Sequence, residues 1–158
     1  MISQAEKRGR GTSFQDEVRR SWALIPGTWR LRITDTGAGS RPADELVLTA
    51  ERNYLIEMKR TQNSTFSLGL LRPTQIKGLH DFDVALQQNY GLVFWSIQNS
   101  TLDTAYAFRF YDFAQHYCRS LQKSISQADL VRNLKHAVLP RIEVEGEPGY
   151  DLRGVLQL

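Results

Sequence analysis

The heptapeptide YLIEMKR, residues 54–60, combines the pattern of a buried strand with two charges. Side chains at positions i and i+2 of a strand point to the same face of the sheet, so Glu57 and Lys59 lie side by side. Ile56 and Met58 then point the other way, into a core. Burying a charge is costly unless the charge is paired or bound to a metal. The stretch therefore predicts either an ordinary ion pair at a strand edge or a reaction centre.

The composition of the chain is that of one globular domain. Its 158 residues are 41% hydrophobic and 23% charged, which allows a sizeable core and argues against disorder. No apolar run is long enough to span a bilayer, and the opening residues MISQAEKRGRG lack the apolar segment of a secretory signal. We therefore expect a cytoplasmic protein with no membrane partner. The single cysteine, Cys118, excludes an internal disulfide and a cysteine-based zinc site.

The charges are unevenly distributed along the chain, although the net charge is only +3. One basic cluster precedes the first predicted helix, a second follows Asp44, and acidic residues gather near the C-terminus. A one-sided basic surface is typical of a protein that binds a phosphate backbone, and a merely solvated face is the alternative. The first cluster comprises Lys7, Arg8 and Arg10, the second comprises Arg52, Lys59, Arg60, Arg72 and Lys77, and the acidic group comprises Glu143, Glu145, Glu147 and Asp151.

The hydrophobic periodicity predicts an α/β domain in which helices pack on a mixed sheet. A flexible basic arm is expected at the start and a tail at the end. The most apolar strand is predicted to be central, and the second and third strands are predicted to form a hairpin. The arm covers residues 1–11 and the tail 145–158; the predicted helices are 13–25, 73–86 and 127–138, and the predicted strands are 28–34, 42–50, 52–60, 90–98, 104–113 and 140–144.

The hairpin brings together a P-x-D, twelve residues, E-x-K pattern. Asp44 lies at the entrance of one strand and Glu57 near the exit of its partner. Mg²⁺ takes oxygen ligands, which these two carboxylates and the carbonyl of Met58 can supply. A bound metal lowers the pKa of its water and neutralises charge on a phosphate, while Lys59 can hold the attacking water or the phosphate. The pattern therefore predicts phosphodiester hydrolysis, with a structural ion pair as the alternative.

The pattern and its surroundings resemble the PD-(D/E)xK nucleases, and within them the Holliday junction resolvases of the bacterial RecU type and their archaeal, Hjc-like relatives. The matching segments run over nearly the whole chain and comprise GTSFQDEV (11–18), PAD (42–44), EMK (57–59), FSLGLLRPTQIKGL (66–79), YGLVFWSI (90–97), KSI (123–125) and PRIEV (140–144). The resemblance implies a single nuclease domain with a restriction-endonuclease-like mixed β-sheet flanked by helices. It also implies a homodimeric endonuclease of DNA recombination and repair that uses Mg²⁺ or Mn²⁺ to cut four-way DNA junctions.

The resemblance assigns roles to residues of the predicted site. Asp44 and Glu57 would bind the metal, Lys59 would be the catalytic lysine, and Gln75 would orient a water or contact DNA. The residues expected near the strand being cut are Arg60, Thr61, Gln62 and Ser67.

Two further DNA contacts are suggested by the sequence itself. Phe66, beside the basic loop, could wedge against unstacked bases, and plain packing is the alternative. The cluster of Lys7, Arg8 and Arg10 is either a DNA-binding arm or a solvated tail.

Two features depart from the family pattern. The family carries a glutamate at the fourth position after the opening glycine, where this chain has Gln15. An amide is a poor Mg²⁺ ligand and no base, so we expect activity to be weakened or absent; an engineered inactivation and a natural variant are both compatible with Gln15. The connection ITDTGAGSR (33–41) also lacks the long RecU insertion, which indicates a shorter protein of archaeal or phage type. The alternatives are a restriction- or repair-type nuclease acting on duplex DNA and a junction-binding protein without catalysis.

Overall fold

The computed structural model describes residues 3–35, 40–118 and 122–158, without the side chains of Gln4, Lys7, Arg8, Thr12 and Cys118. In chain order the helices and strands are α1 (Gln4–Trp22), β1 (Trp29–Arg32), β2 (Glu45–Leu48), β3 (Asn53–Thr61), β4 (Thr65–Ser67), α2 (Pro73–Ala85), β5 (Asn89–Gln98), β6 (Asp103–Arg109), α3 (Phe110–Cys118), β7 (Ser124–Ser126), α4 (Gln127–Asn133), β8 (His136–Val138), β9 (Arg141–Val144) and β10 (Glu147–Tyr150). Short 3₁₀ turns span Leu68–Leu70 and Arg153–Gln157.

The main sheet is mixed. In the described ranges it has six strands in the order β1-β2-β3-β5-β6-β8, and β4 with β7 and β9 with β10 form two small sheets. Strands β3 and β5 run parallel at the centre, whereas the other neighbours in the main sheet are antiparallel. This confirms the predicted hairpin of the second and third strands and the central place of residues 90–98.

Each face of the sheet carries its own core. Helix α1 and the C-terminal residues cover one face, where Ile56 and Met58 are buried. Helices α2, α3 and α4 cover the other face, around Leu55, Phe66 and Trp95. The alternation inferred for residues 54–60 is therefore confirmed, and Glu57 and Lys59 project toward the face that carries α2.

Helix α1 begins nine residues earlier than the sequence pattern predicts. The Ser3 hydroxyl accepts a hydrogen bond from the Glu6 amide at 3.2 Å, and the Glu6 carboxylate accepts one from the Ser3 amide at 2.7 Å. This capping box starts the helix ahead of Gly9 and Gly11. The prediction of a flexible arm over residues 1–11 is therefore wrong for residues 4–11, which are helical.

The boundaries of the later elements also differ from the predictions. The strand expected over 104–113 ends at Arg109, because Phe110, Phe113 and Tyr117 recur at helical spacing and bury one face of α3. The helix expected over 127–138 ends at Asn133, because residues 136–138 pair with β6.

The C-terminal residues belong to the core rather than to a tail. Residues 145–158 contribute β10 and the last 3₁₀ turn, and Tyr150, Leu152 and Val155 are buried in the core that α1 covers. In the part of the chain that the structure describes, no helix is both long and apolar enough to cross a membrane.

Candidate active site

The hairpin of β2 and β3 brings the two predicted acidic ligands together. Asp44 lies one residue before β2, where its amide donates to the Ile56 carbonyl at 3.0 Å and its Oδ2 accepts from the Met58 amide at 2.8 Å. Glu57 lies in the middle of β3 rather than near its exit. Both carboxylates are almost completely buried, at 0% and 1% exposure. Two acids therefore share one desolvated space between neighbouring strands.

Lys59 and Gln75 hold the Glu57 carboxylate. The Lys59 Nζ lies 2.7 Å from Glu57 Oε1, and the Gln75 side-chain amide donates to the same oxygen at 2.7 Å. The Gln75 carbonyl oxygen accepts from the Arg72 amide at 2.9 Å, which ties it to the first turn of α2. The structure therefore brings Lys59 and Gln75 into contact with Glu57.

Helix α2 approaches the site closely because Gly78 has no side chain. A Cβ at this position would lie 2.4 Å from the Cβ of Pro42, two residues before Asp44. The helix and the loop that carries Asp44 can therefore pack backbone to backbone.

Gln15 and Arg41 bind the second carboxylate. The Gln15 side-chain amide donates to Asp44 Oδ1 at 3.0 Å, and its own oxygen accepts from Arg19 Nη2 at 3.3 Å. Arg41 Nη2 lies 2.8 Å from the same Asp44 oxygen. Gln15 thus reaches the site from α1, as the resemblance implies, but presents an amide nitrogen to the acid. Sequence reasoning missed Arg41, whose only signal is its place three residues before Asp44.

Burial disfavours the ionised form of two carboxyls at or beside the site. Burial, and next the Asp44 carboxylate, raise the pKa of Glu57 to about 7, although Lys59 lowers it. Within the described residues, Glu57 Oε2 is buried and has no hydrogen-bond partner. The neighbouring Glu45, which the sequence analysis did not single out, is also buried, and burial raises its pKa to about 7. Contact with a positive charge would favour the ionised form of these carboxyls.

The donor set fits a hard cation in part. Asp44 and Glu57 supply carboxylate oxygens, and the buried, unpartnered Oε2 of Glu57 is free to coordinate. In a β-strand, the N–H and the C=O of a given residue point to the same side of the strand. The Met58 amide donates to Asp44, so the Met58 carbonyl also faces Asp44. Mg²⁺ keeps several waters and needs few protein ligands. The described residues contain no group of three or more His, Cys, Asp or Glu suited to hold a metal.

Two of the residues predicted to contact DNA are instead parts of the core. The Arg60 side chain is only 3% exposed and pairs with Glu17 at 2.5 Å, with further bonds to the Tyr150 hydroxyl and Ser96. Phe66 is fully buried and lies edge-on to three aromatic rings. The alternation of β3 turns Arg60 toward α1, and the pairing of β4 with β7 turns Phe66 inward. Neither side chain can reach DNA without unfolding this region.

The other predicted DNA contacts have mixed positions. Thr61 is half-buried and its hydroxyl accepts from the Trp95 indole at 2.8 Å, whereas the Gln62 side chain is exposed. The Ser67 hydroxyl caps the following 3₁₀ turn. Arg10 is half-buried on α1, where its Nε donates to the Glu6 carbonyl. Lys7 and Arg8 belong to α1, but their side chains lie outside the described ones.

Comparison with known proteins supports the fold. No protein-family profile matches the chain, and no curated protein matches it. Among solved structures it is similar to Hjc, a Holliday junction resolvase from the archaeal hyperthermophile Archaeoglobus fulgidus, with a TM-score of 0.55 and 17% sequence identity. The match covers 79% of this chain and 95% of that one. The chain therefore has the restriction-endonuclease-like fold that its sequence predicts, a mixed sheet flanked by helices.

Proposed function

We propose that the chain is a metal-dependent endonuclease that cuts four-way DNA junctions, with Asp44, Glu57 and Lys59 at its active site. The observation that carries the proposal is the pair of buried carboxylates on neighbouring strands, one with an orphaned oxygen and with Lys59 against it. The likeness in fold to a Holliday junction resolvase supports the choice of reaction and substrate.

Asp44, Glu57 and the Met58 carbonyl would hold Mg²⁺, for which Mn²⁺ can substitute. When bound, the ion activates a water and neutralises charge on the phosphate that is attacked. Lys59, whose Nζ is within reach of both Glu57 and Gln75, positions the attacking water or the scissile phosphate. Gln75 fixes the orientation of Glu57 from the start of α2. These residues need only small movements to perform their roles, since they already converge.

Gln15 weakens this site. The resemblance places a glutamate at this position, where a negative oxygen would face the metal. Gln15 offers a neutral group whose amide nitrogen donates to Asp44, so one charge is missing from the ion's surroundings. Reduced or absent cleavage by the chain as it stands follows from this difference.

The substrate determines the proposed assembly. A four-way junction has two-fold symmetry, and a homodimer with two identical sites could cut two opposing strands. The DNA-binding residues that this proposal retains are Lys7, Arg8, Arg10, Thr61, Gln62 and Ser67. Such an enzyme would act in DNA recombination and repair in the cytoplasm.

A second candidate is a junction-binding protein that has lost catalysis. The contact between the Gln15 amide and Asp44 favours it, because an amide is a poor Mg²⁺ ligand and no base. It predicts junction binding without cleavage even after Gln15→Glu.

Cleavage of a labelled four-way junction and of a matched linear duplex in Mg²⁺ distinguishes these functions. We expect symmetric nicks in the junction only, weak for the unsubstituted chain, and none with Lys59→Met. Preferential cutting of the linear duplex would instead indicate a restriction- or repair-type nuclease. Junction binding with no cleavage by any variant would favour the non-catalytic candidate.

A further inference from the structure

Each buried carboxylate of the site already has a cation of its own. Arg41 pairs with Asp44 at 2.8 Å, and Lys59 pairs with Glu57 at 2.7 Å. When both acids are ionised, the four charges cancel. The two amide side chains at the site, Gln15 and Gln75, add no charge.

Arg41 differs from Lys59 in how well it is satisfied. Its side chain is 21% exposed, so Arg41 lies partly at the surface beside the fully buried Asp44. Among the described residues its Nε is buried and has no hydrogen-bond partner. Among the described residues, Asp44 is therefore the main partner of the Arg41 guanidinium, and the Nε–H donor of Arg41 makes no hydrogen bond.

A divalent cation cannot simply join this arrangement. Asp44 Oδ1 already receives the guanidinium and the Gln15 amide, while Oδ2 receives the Met58 amide. A metal that binds Asp44 through Oδ1, which already receives two donors, must displace one of them. Adding two positive charges to a neutral, desolvated cluster is also unfavourable unless an anion enters or a cation leaves.

We propose that Arg41 is a phosphate-binding residue that is held on Asp44 until the DNA arrives, so that metal and DNA enter the site together. This inference rests on the proposed nuclease function. The guanidinium leaves Asp44 as the metal enters, and its fork of donors then binds a phosphate oxygen of the strand. The phosphate supplies the negative charge that Gln15 does not. Metal and DNA therefore tighten each other's binding by the same factor.

The test is a titration of the protein with Mn²⁺ in the absence of DNA, in which electron paramagnetic resonance measures the concentration of free Mn²⁺. Arg41→Gln should bind Mn²⁺ at least about tenfold more tightly than the unsubstituted chain, because a positive charge has been removed from beside the ligand. A merely structural role for Arg41 would give weaker binding in the variant. Arg52→Gln is the matched control, since it removes the same charge at the far end of β3, where Arg52 stacks on Tyr90.

Asp44→Asn separates failure of the inference from failure of the proposed function. If the unsubstituted chain and Arg41→Gln bind Mn²⁺ equally and Asp44→Asn does not, the metal site stands and the role of Arg41 is wrong. If none of the variants binds Mn²⁺, both ideas fall.

Junction affinity with and without Ca²⁺, another ion with oxygen ligands, gives a second readout. The factor by which Ca²⁺ tightens junction binding should be smaller in Arg41→Gln than in the unsubstituted chain. An equal factor in the two proteins would overturn the coupled entry of metal and DNA.

Discussion

Replacing Glu57 by Gln should stabilise the metal-free protein at neutral and alkaline pH. Burial and the nearby Asp44 hold the pKa of Glu57 at about 7 instead of its usual 4.5. Ionising this carboxyl therefore costs the folded state about 3 kcal/mol relative to the unfolded chain. An amide keeps the shape of the side chain and removes that cost.

The sign of the effect depends on pH. Below about pH 4.5 the carboxyl is protonated in both the folded and the unfolded protein, so it behaves as a neutral group. Between about pH 4.5 and 7 the unfolded chain loses its proton first, and the stability of the unsubstituted protein falls as the pH rises. Above about pH 7 the cost is fully present. In the Glu57→Gln variant, the free energy of unfolding should lack the fall that Glu57 causes over this pH range. Glu45, whose pKa is also raised to about 7, should still lower it in both proteins.

This cost already includes the attraction of Lys59, which lowers the pKa of Glu57. We therefore expect Glu57→Gln to gain about 3 kcal/mol at pH 8. For a chain of this size the gain corresponds to a rise in Tm of roughly 6–12 °C. At pH 4.5 the two proteins should unfold alike.

Thermal and urea unfolding in EDTA at pH 4.5 and pH 8 measure the difference. Glu17→Gln is the control, because it makes the same substitution at a buried acid that two arginines hold, Arg60 and Arg141. The substitution removes the acid partner of the buried Arg60 and one of the two acid partners of Arg141, which should cost about 3 kcal/mol or more. A Glu57→Gln protein that is less stable than the unsubstituted one at pH 8, or equally shifted at both pH values, would refute the reasoning.

Phe66→Ala should lower the free energy of unfolding, measured in urea, by about 3–5 kcal/mol, because Phe66 is fully buried among aromatic rings. The junction affinity of the folded protein should be unchanged. A selective loss of junction binding would instead support the prediction that Phe66 wedges against unstacked bases. Gly78→Ala should lower stability by about 1–3 kcal/mol and weaken Mn²⁺ binding, since its Cβ would push Pro42 and the loop of Asp44 away. Gly9→Ala is its control. Apart from its chain neighbours and the backbone of its own helix, no described atom lies within 4 Å of the added Cβ, so helix propensity should stabilise the protein by up to about 1 kcal/mol. Equal effects of the two alanine substitutions on metal binding would contradict the packing argument.

The central hairpin could be predicted because local and long-range signals agree there. Residues 54–60 alternate between the two faces of the sheet, and this alternation is enough to predict that Ile56 and Met58 point into a core. The structure buries both side chains. The same alternation puts Glu57 and Lys59 on one side. A loop that begins with Pro42 then brings Asp44 beside them.

Other parts of the site depend on contacts between distant segments. Arg60 follows Lys59 and looks like a surface cation, but Glu17, 43 residues away, draws it into the core. Phe66 is buried because β4 pairs with β7, which follows a long stretch of chain. The ion pair between Arg41 and Asp44 could not be predicted from the periodicity of the sequence, because Arg41 lies in a loop. The start of α1 is a different case, since Ser3 and Glu6 form a capping box in the sequence, and the two glycines that follow it obscured the helix.

The most direct test of the account is cleavage of a labelled four-way junction in Mg²⁺ by Gln15→Glu, compared with the unsubstituted chain and with Gln15→Glu combined with Lys59→Met. We expect paired, symmetric nicks by Gln15→Glu, much weaker nicks by the unsubstituted chain and none by the double variant. Cleavage that persists without Lys59, or no cleavage by a folded Gln15→Glu protein that binds the junction, would contradict the assignment of Asp44, Glu57 and Lys59 as a nuclease site.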